Sequence, residues 1–271
     1  MNSLPRALTV AGFDPSGGAG VLADTRTFST FGFQASAVIT SVTFQNESRI
    51  FGAVHQTAEA VCAQARPLLE NYTFACVKTG MLPTREVVKE VAGLFRETNL
   101  PSPVVDPVIM STSGHRLMEE GALEILISDL LPLARLVTPN IAEAETLAGV
   151  EVTSEEAMRV AAQKIRELGA RAVLIKGGHL KRQKADSSMQ TAETEGGCAL
   201  TEDAIDVLDD NGNVKVFRQQ RVMGAQLHGS GCILSAAIAA GLGKGMSLEE
   251  AVGAAKSFVL AEIRNTPRGR N

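Results

Sequence analysis

Apolar runs of about four to eight residues alternate with helix-period stretches along most of this chain, and turn residues close nearly every run. Ala7 to Ala11 is an apolar run ending at Gly12, which predicts a buried first strand and a turn. Asp14 to Gly20 (DPSGGAG) is a turn-rich loop, and Val21, Leu22, Phe28 and Phe31 then share a helical face closed by Gly32. Strands are predicted at Ala35 to Thr43, Phe74 to Lys78, Pro103 to Asp106, Leu136 to Thr138 and Ala172 to Lys176. Helices are predicted over 57–70, 84–98, 119–130 and Ile141 to Ala148, with another capped at Ser154. Residues 181–197 are polar and aperiodic and read as a mobile surface loop. Asp203 to Leu208 and Val214 to Val222 read as a hairpin around Asp209-Asp210-Asn211-Gly212. Two helices finish the chain, from about Gly229 to Leu242 and from Leu248 to about Arg264.

Strand–helix repetition of this kind predicts one α/β domain spanning 1–271, a three-layer α/β/α sandwich around a mostly parallel sheet. Ligands on such sheets bind outside the carboxyl ends of the strands. That directs attention to the loops at 12–20, 44–47, 78–82, 106–116, 138–143 and 176–180.

Composition narrows the function. Of 271 residues, 26 are Lys or Arg against 30 acids, a net charge of −4. No broad basic face follows, and aromatics are only 4% with no Trp, so neither nucleic acid nor an anionic membrane is expected as a partner. Cys62, Cys76, Cys198 and Cys232 show no CxxC spacing, so reduced thiols are expected rather than disulfides or structural zinc. No apolar run approaches the 18 or so residues of a membrane span, and MNSLPRALTVAG lacks the features of a signal peptide. A cytoplasmic protein is expected.

The sharpest chemical segment is His228-Gly229-Ser230-Gly231-Cys232, which opens a helix. Its glycines admit a close backbone approach, and the first helical amides and the dipole make an anion site for a transferring phosphoryl group. Cys232 stands where the dipole favours a thiolate. The competing reading is a glycine turn before a buried Ala-rich helix. The DPSGGAG loop is neither a Walker motif nor GxGxxG, and it reads equally as a tight turn with capping residues. Asn140 and Glu143, three apart at a helix start, can face one site and hold Mg²⁺ through waters beside phosphates. Alone, they read more simply as an N-cap and a solvated first-turn acid. Lys176, at a strand end before Gly177-Gly178-His179, can neutralise a nucleotide phosphate, or be a surface Lys at a sheet-exit turn. Gln45, at the end of an apolar strand, can donate to and accept from a heteroaromatic ring at once.

Seven segments in order carry a resemblance over about residues 7–260: AGFDPSGGAG (11–20), VITSVTFQN (38–46), KTGML (78–82), VVDPVIMSTSG (104–114), LVTPNIAEAETL (136–147), VLIKGGHL (173–180) and HGSGCILSAAIAA (228–240). Together they resemble the hydroxymethylpyrimidine/phosphomethylpyrimidine kinases of thiamine biosynthesis, members of the ribokinase-like superfamily. The resemblance implies a kinase that uses ATP and Mg²⁺ to phosphorylate 4-amino-5-hydroxymethyl-2-methylpyrimidine and then its monophosphate. It implies that Gln45 holds the ring, that Gly12, Ala19, Met81 and Val108 line its pocket, and that Asp24 lies close by. Gly229, Ser230, Gly231 and Cys232 would form the anion hole, with Cys232 where related sugar kinases carry a catalytic Asp. Asn140, Lys176, Gly178 and His228 would lie at the nucleotide and Glu143 at the metal. A homodimer is implied by the resemblance alone.

A thiolate at Cys232 is the base this reading names, which requires a pKa well below about 8.5. Three departures from the family pattern stand out. Thr112-Ser113-Gly114-His115 replaces the common Lys-Ser-Gly-Asp, which removes a cation at Thr112 and leaves hydroxyls to meet phosphate. His115 replaces the acid of that loop. The chain closes on NTPRGRN without a Gly-rich tail, so part of the usual C-terminus is expected to be absent. Two alternatives stay open. One is a pyridoxal kinase of the same superfamily, disfavoured by Gln45 and Met81; the other is a non-catalytic pyrimidine-binding protein.

Overall fold

The computed structural model describes residues 4–46, 49–110, 116–178, 203–220, 222 and 227–265. The loop at 181–197, the Thr112–His115 segment, His179 and the last six residues lie outside these. Strands are β1 (Arg6–Phe13), β2 (Gln34–Gln45), β3 (Ile50–His55), β4 (Phe74–Thr79), β5 (Val104–Val105), β6 (Leu136–Val137), β7 (Ala172–Gly177), β8 (Asp203–Asp210) and β9 (Asn213–Gln220). Helices are α1 (Gly20–Thr30), α2 (Ala58–Asn71), α3 (Arg85–Glu97), α4 (Glu120–Ile125), α5 (Ile141–Ala148), α6 (Glu155–Glu167), α7 (Ser230–Gly243) and α8 (Leu248–Asn265).

The strands form one sheet in the order β3-β2-β1-β4-β5-β6-β7-β8-β9. β2, β1, β4, β5, β6 and β7 run parallel, and β3, β8 and β9 are antiparallel additions at the two edges. Alternate residues of the parallel strands feed opposite faces. Val173 and Ile175 pack with the core under α2 to α6, while Ala172 and Leu174 pack with α1, α7 and α8. Both faces are dry, which is why these strands read as unbroken apolar runs. α7 has little amphipathic pattern because it is covered on nearly all sides, with Ile233 to Gly241 buried throughout.

One strand was not expected, and two expectations are corrected. The strand β3 gave no sequence signal, since IFGAVH carries a glycine and leaves Phe51, Val54 and His55 exposed at the sheet edge. The helix expected over 119–130 is α-helical only to Ile125. It then widens, Leu131 N–H reaching Leu126 O, and ends in a tight Leu131–Leu133 turn where Pro132 has no N–H to continue the ladder. The hairpin turn is the two residues Asn211-Gly212, both with positive φ, so Asp209 and Asp210 belong to β8.

Candidate active site

The carboxyl ends of β1, β2, β4, β5, β6 and β7 open on one edge, and the sequence motifs gather there. α7 begins at this edge. Its N-cap, Gly229, has φ +75°, and a Cβ there would lie 2.0 Å from the Gly18 carbonyl oxygen, so only glycine fits. Gly18 in turn has no room for a side chain, because the His228 ring would lie 2.2 Å from its Cβ. The loop after β1 and the turn before α7 are therefore interlocked.

Among the described residues no carbonyl accepts from the Gly231 or Cys232 amides, as the start of a helix requires. Ser230 departs from the expected anion hole: its amide turns back to donate to Leu227 O at 3.2 Å. Lys176, at the end of β7, faces this helix start. A Cβ on Gly231 would sit 3.2 Å from Lys176 Nζ and 3.8 Å from Asp106 Oδ2. Lys176 Nζ donates to Asp106 Oδ1 at 2.9 Å, and Thr138 and Ser235 hydroxyls donate to the same carboxylate. Burial works against the Lys176 charge, yet Asp106 and Glu143 hold its pKa above the usual lysine range. A fixed cation beside unpaired helix amides is a phosphate-binding arrangement. Gly178 follows with open space around its α-carbon.

Asn140 and Glu143 form a capping box at the start of α5. Asn140 Oδ1 accepts from Glu143 N at 3.0 Å, and Glu143 Oε2 accepts from Asn140 N at 2.9 Å. The solvated first-turn acid of the simpler reading is overturned, because Glu143 is buried. Its other oxygen accepts from Ile109 N at 3.1 Å, which fixes the peptide after Val108. Val108 has φ +45°, a region costly for a β-branched residue, so that hydrogen bond holds a strained turn in place. Burial raises the Glu143 carboxyl pKa against the pull of Lys176. Among the described residues no group of three His, Cys, Asp or Glu is placed to hold a metal by itself. The donors present, one carboxylate and an amide beside a phosphate site, suit Mg²⁺ carried by phosphates and water.

The residues expected to hold the ring lie at the ends of β1, β2 and β4 and at the start of α1. Gly12 and Met81 are in contact, with a Gly12 Cβ position 3.1 Å from Met81 Sδ, and Thr40 Oγ1 pins the Met81 carbonyl at 2.6 Å. Ala19 caps α1 and donates its amide to Asp14 Oδ2 at 2.9 Å. Gln45 at the end of β2 directs its amide at the same carboxylate. Burial works to raise the Asp14 pKa, but hydrogen bonds from Ser16, Gln45 and Ala19 bring it below the usual carboxylate range.

Asp24, Cys232 and His228 stand otherwise than expected. Asp24 is wholly buried, paired with Lys78 Nζ at 2.8 Å and accepting from Thr9 Oγ1 at 2.6 Å, so its carboxylate is closed off from solvent and engaged within the protein. The Cys232 thiol does not have a lowered pKa. Burial pushes it up from 9.0, with Asp24 and Asp106 adding to the rise, while Lys78 and an N–H from Gly20 oppose it. Desolvation outweighs the helix dipole at this half-buried thiol. His228, expected at the nucleotide, donates instead to Asp14 at 3.0 Å. Sequence reasoning passed over Lys78, Asp106 and Asp14 as charged groups of the site. All three are buried ionisable residues at strand ends, and that was the signal available.

A parallel α/β sheet with a cation and an open helix start at its carboxyl edge defines a phosphate-handling protein of the ribokinase-like fold. The family model for phosphomethylpyrimidine kinase matches residues 14–270, and the chain belongs to that family. It is 40% identical over 263 residues to a hydroxymethylpyrimidine/phosphomethylpyrimidine kinase of Rhizobium meliloti, covering 97% of this chain and 91% of that one. A longer thiamine biosynthesis bifunctional protein of Geobacter sulfurreducens is 39% identical over 265 residues, 97% of this chain, which spans 50% of its length. Among solved structures, a phosphomethylpyrimidine kinase of Clostridium difficile superposes with a TM-score of 0.78 at 34% identity, covering 96% of this chain and 99% of that one. A pyridoxal kinase of Bacillus subtilis, solved as an ADP complex, superposes with a TM-score of 0.82 at 32% identity, covering 97% and 93%.

Proposed function

We propose that this protein transfers the γ-phosphoryl group of ATP to the hydroxymethyl group of 4-amino-5-hydroxymethyl-2-methylpyrimidine, and then phosphorylates that product to the diphosphate. The observation that supports the reading is that Lys176 faces the start of α7, whose turn interlocks through Gly229 and Gly18 with the loop after β1, the strand that carries Gly12. Membership of the family and the names of its relatives point the same way.

In this reading Gln45 and the Val108 peptide orient the ring, while Gly12, Ala19 and Met81 set its depth. The Gly231 and Cys232 amides take the transferring group as charge develops on it, with no reorganisation at the moment of reaction. Lys176 neutralises phosphate oxygens, and Asp106 aims it. Mg²⁺, when bound with ATP, shields the phosphate charge; Glu143 and Asn140 would hold it through water. The lowered pKa expected of a Cys232 base is not met, since burial raises it, so in this reading Cys232 accepts the proton only through the small thiolate fraction that Lys78 favours. The phosphoryl chemistry itself asks for positioning more than for covalent help.

A cytoplasmic homodimer that binds neither nucleic acid nor membrane belongs to the same proposal. Among the described residues no helix is long and apolar enough to cross a membrane. Exposed Phe44, Phe51 and Val54 on the β2–β3 ribbon offer an apolar surface for a second copy.

A second reading, phosphorylation of pyridoxal, is favoured by the likeness to the Bacillus subtilis pyridoxal kinase. Coupled ADP-release assays with the two alcohols separate them. The pyrimidine is expected to be turned over at the higher kcat/KM, and turnover of pyridoxal alone would reject the first reading. Binding of the pyrimidine without any ADP release would make the protein a non-catalytic binder.

A further inference from the structure

The interlock between the loop after β1 and the turn before α7 is tied by one side-chain pair. His228 Nε2 donates to Asp14 Oδ2 at 3.0 Å across 214 residues of sequence, with the carboxylate buried and the ring about one-third exposed. Asp14 also organises its own loop. Its Oδ1 accepts from Ser16 N and Oγ at 2.8 Å, and Oδ2 accepts from Ala19 N. Ala19 is the N-cap of α1 and His228 precedes Gly229, the N-cap of α7. One carboxylate therefore sets the distance between the ring pocket and the phosphoryl-binding amides.

We propose that His228 is a positioning residue that acts through Asp14 to hold the start of α7 against the substrate loop. This rests on the reading above that the pyrimidine occupies the Gln45 pocket. The glycines at 18 and 229 explain why a side-chain tie is needed. They let two backbones touch, with Gly18 O 2.0 Å from a Cβ position at Gly229, but neither supplies a side chain to fix the contact. Gln45, at the end of β2, also helps to hold the Asp14 carboxylate charged, so the same carboxylate serves the substrate side as well. Nothing in this role requires His228 to touch the nucleotide.

Steady-state kinetics with ATP and the hydroxymethylpyrimidine test it on His228→Ala, His228→Gln, Asp14→Asn and the Asp14→Asn/His228→Ala double variant. His228→Ala is expected to lose about 10- to 100-fold in kcat while KM for the pyrimidine moves by less than about threefold, since misplacement of reacting groups is read in kcat. His228→Gln, whose amide N–H can meet the same carboxylate, is expected to recover most of the loss. The double variant is expected to be no slower than the slower single one. Should His228→Ala not fold, Asp14→Asn carries the same test with its bond to Ser16 N intact, and must show the same kcat-selective loss. A His228→Ala enzyme within about twofold of wild type in kcat overturns the proposal. So do a rise confined to KM for ATP, which would make His228 a nucleotide ligand, and a His228→Gln enzyme as slow as the alanine variant. A wild-type protein inactive on the pyrimidine rejects the activity and the positioning role with it. An active wild type with an unimpaired His228→Ala variant rejects the positioning role alone.

Discussion

Lys78 Nζ and Asp24 Oδ2 meet at 2.8 Å, and neither side chain touches solvent. Burial works against the Lys78 charge, but Asp24 beside it, with Cys232 and Asp106 near, holds its pKa well above the usual lysine range. The pair joins β4 to α1 under the start of α7. Each charge is buried and has the other as its directly bonded counter-charge.

Removing one partner should therefore cost far more than removing both. Lys78→Ala is expected to destabilise the protein by about 3–5 kcal/mol, because Asp24 is left buried and unpaired. Lys78→Met with Asp24→Leu should recover most of that. Urea unfolding of the three proteins checks it, and equal losses for single and double variants would show that the pair contributes little through its charge.

Cys232→Ser is expected to bind both substrates with near wild-type affinity and to turn over about 10²- to 10⁴-fold more slowly, the range that general bases supply. Burst and steady-state kinetics with isothermal titration separate binding from turnover. Near wild-type turnover in that variant removes Cys232 as the base.

The pH dependence follows from the direction of the thiol shift. A base must be deprotonated, and burial raises the Cys232 pKa from 9.0. The thiolate fraction, and with it kcat, should rise as pH increases from about 7 to 9.5. A kcat flat over that interval in the wild type, or the same rising limb in Cys232→Ser, contradicts the assignment.

Lys176→Ala is expected to lower kcat/KM for ATP about 10- to 1000-fold and to cost fold stability as well, because it removes a cation aimed at developing charge and leaves the buried Asp106 carboxylate without its counter-charge. Asp106→Asn should show a smaller loss, since the ammonium stays but is no longer held by a carboxylate at 2.9 Å. Kinetics over a range of ATP concentrations distinguish the two. An Asp106→Asn variant as impaired as Lys176→Ala would give Asp106 a direct role at the phosphate.

The parallel core of the fold was legible because Val173 and Ile175 on one face and Ala172 and Leu174 on the other are all apolar, a pattern that only a sheet covered on both sides produces. β3 was not legible, since an edge strand with one paired neighbour can carry exposed Phe51 and Val54 and so breaks the alternation. At the site, glycines and caps were readable from spacing: Gly229, Gly231 and Asn140 stand where the motifs put them. Partners were not. Whether Asp24 faces ligand or Lys78, and whether His228 faces nucleotide or Asp14, depends on contacts made across 54 and 214 residues. The Cys232 pKa fails for the same reason, because the dipole is a local property of α7 and desolvation is set by everything packed around it.

The central claim is that one site adds phosphate to the pyrimidine twice. Mass spectrometry of the products formed from ATP, Mg²⁺ and 4-amino-5-hydroxymethyl-2-methylpyrimidine over time tests it most directly. The account predicts that the monophosphate accumulates first and is then replaced by the diphosphate. Recovery of the unmodified alcohol with ATP intact would contradict it.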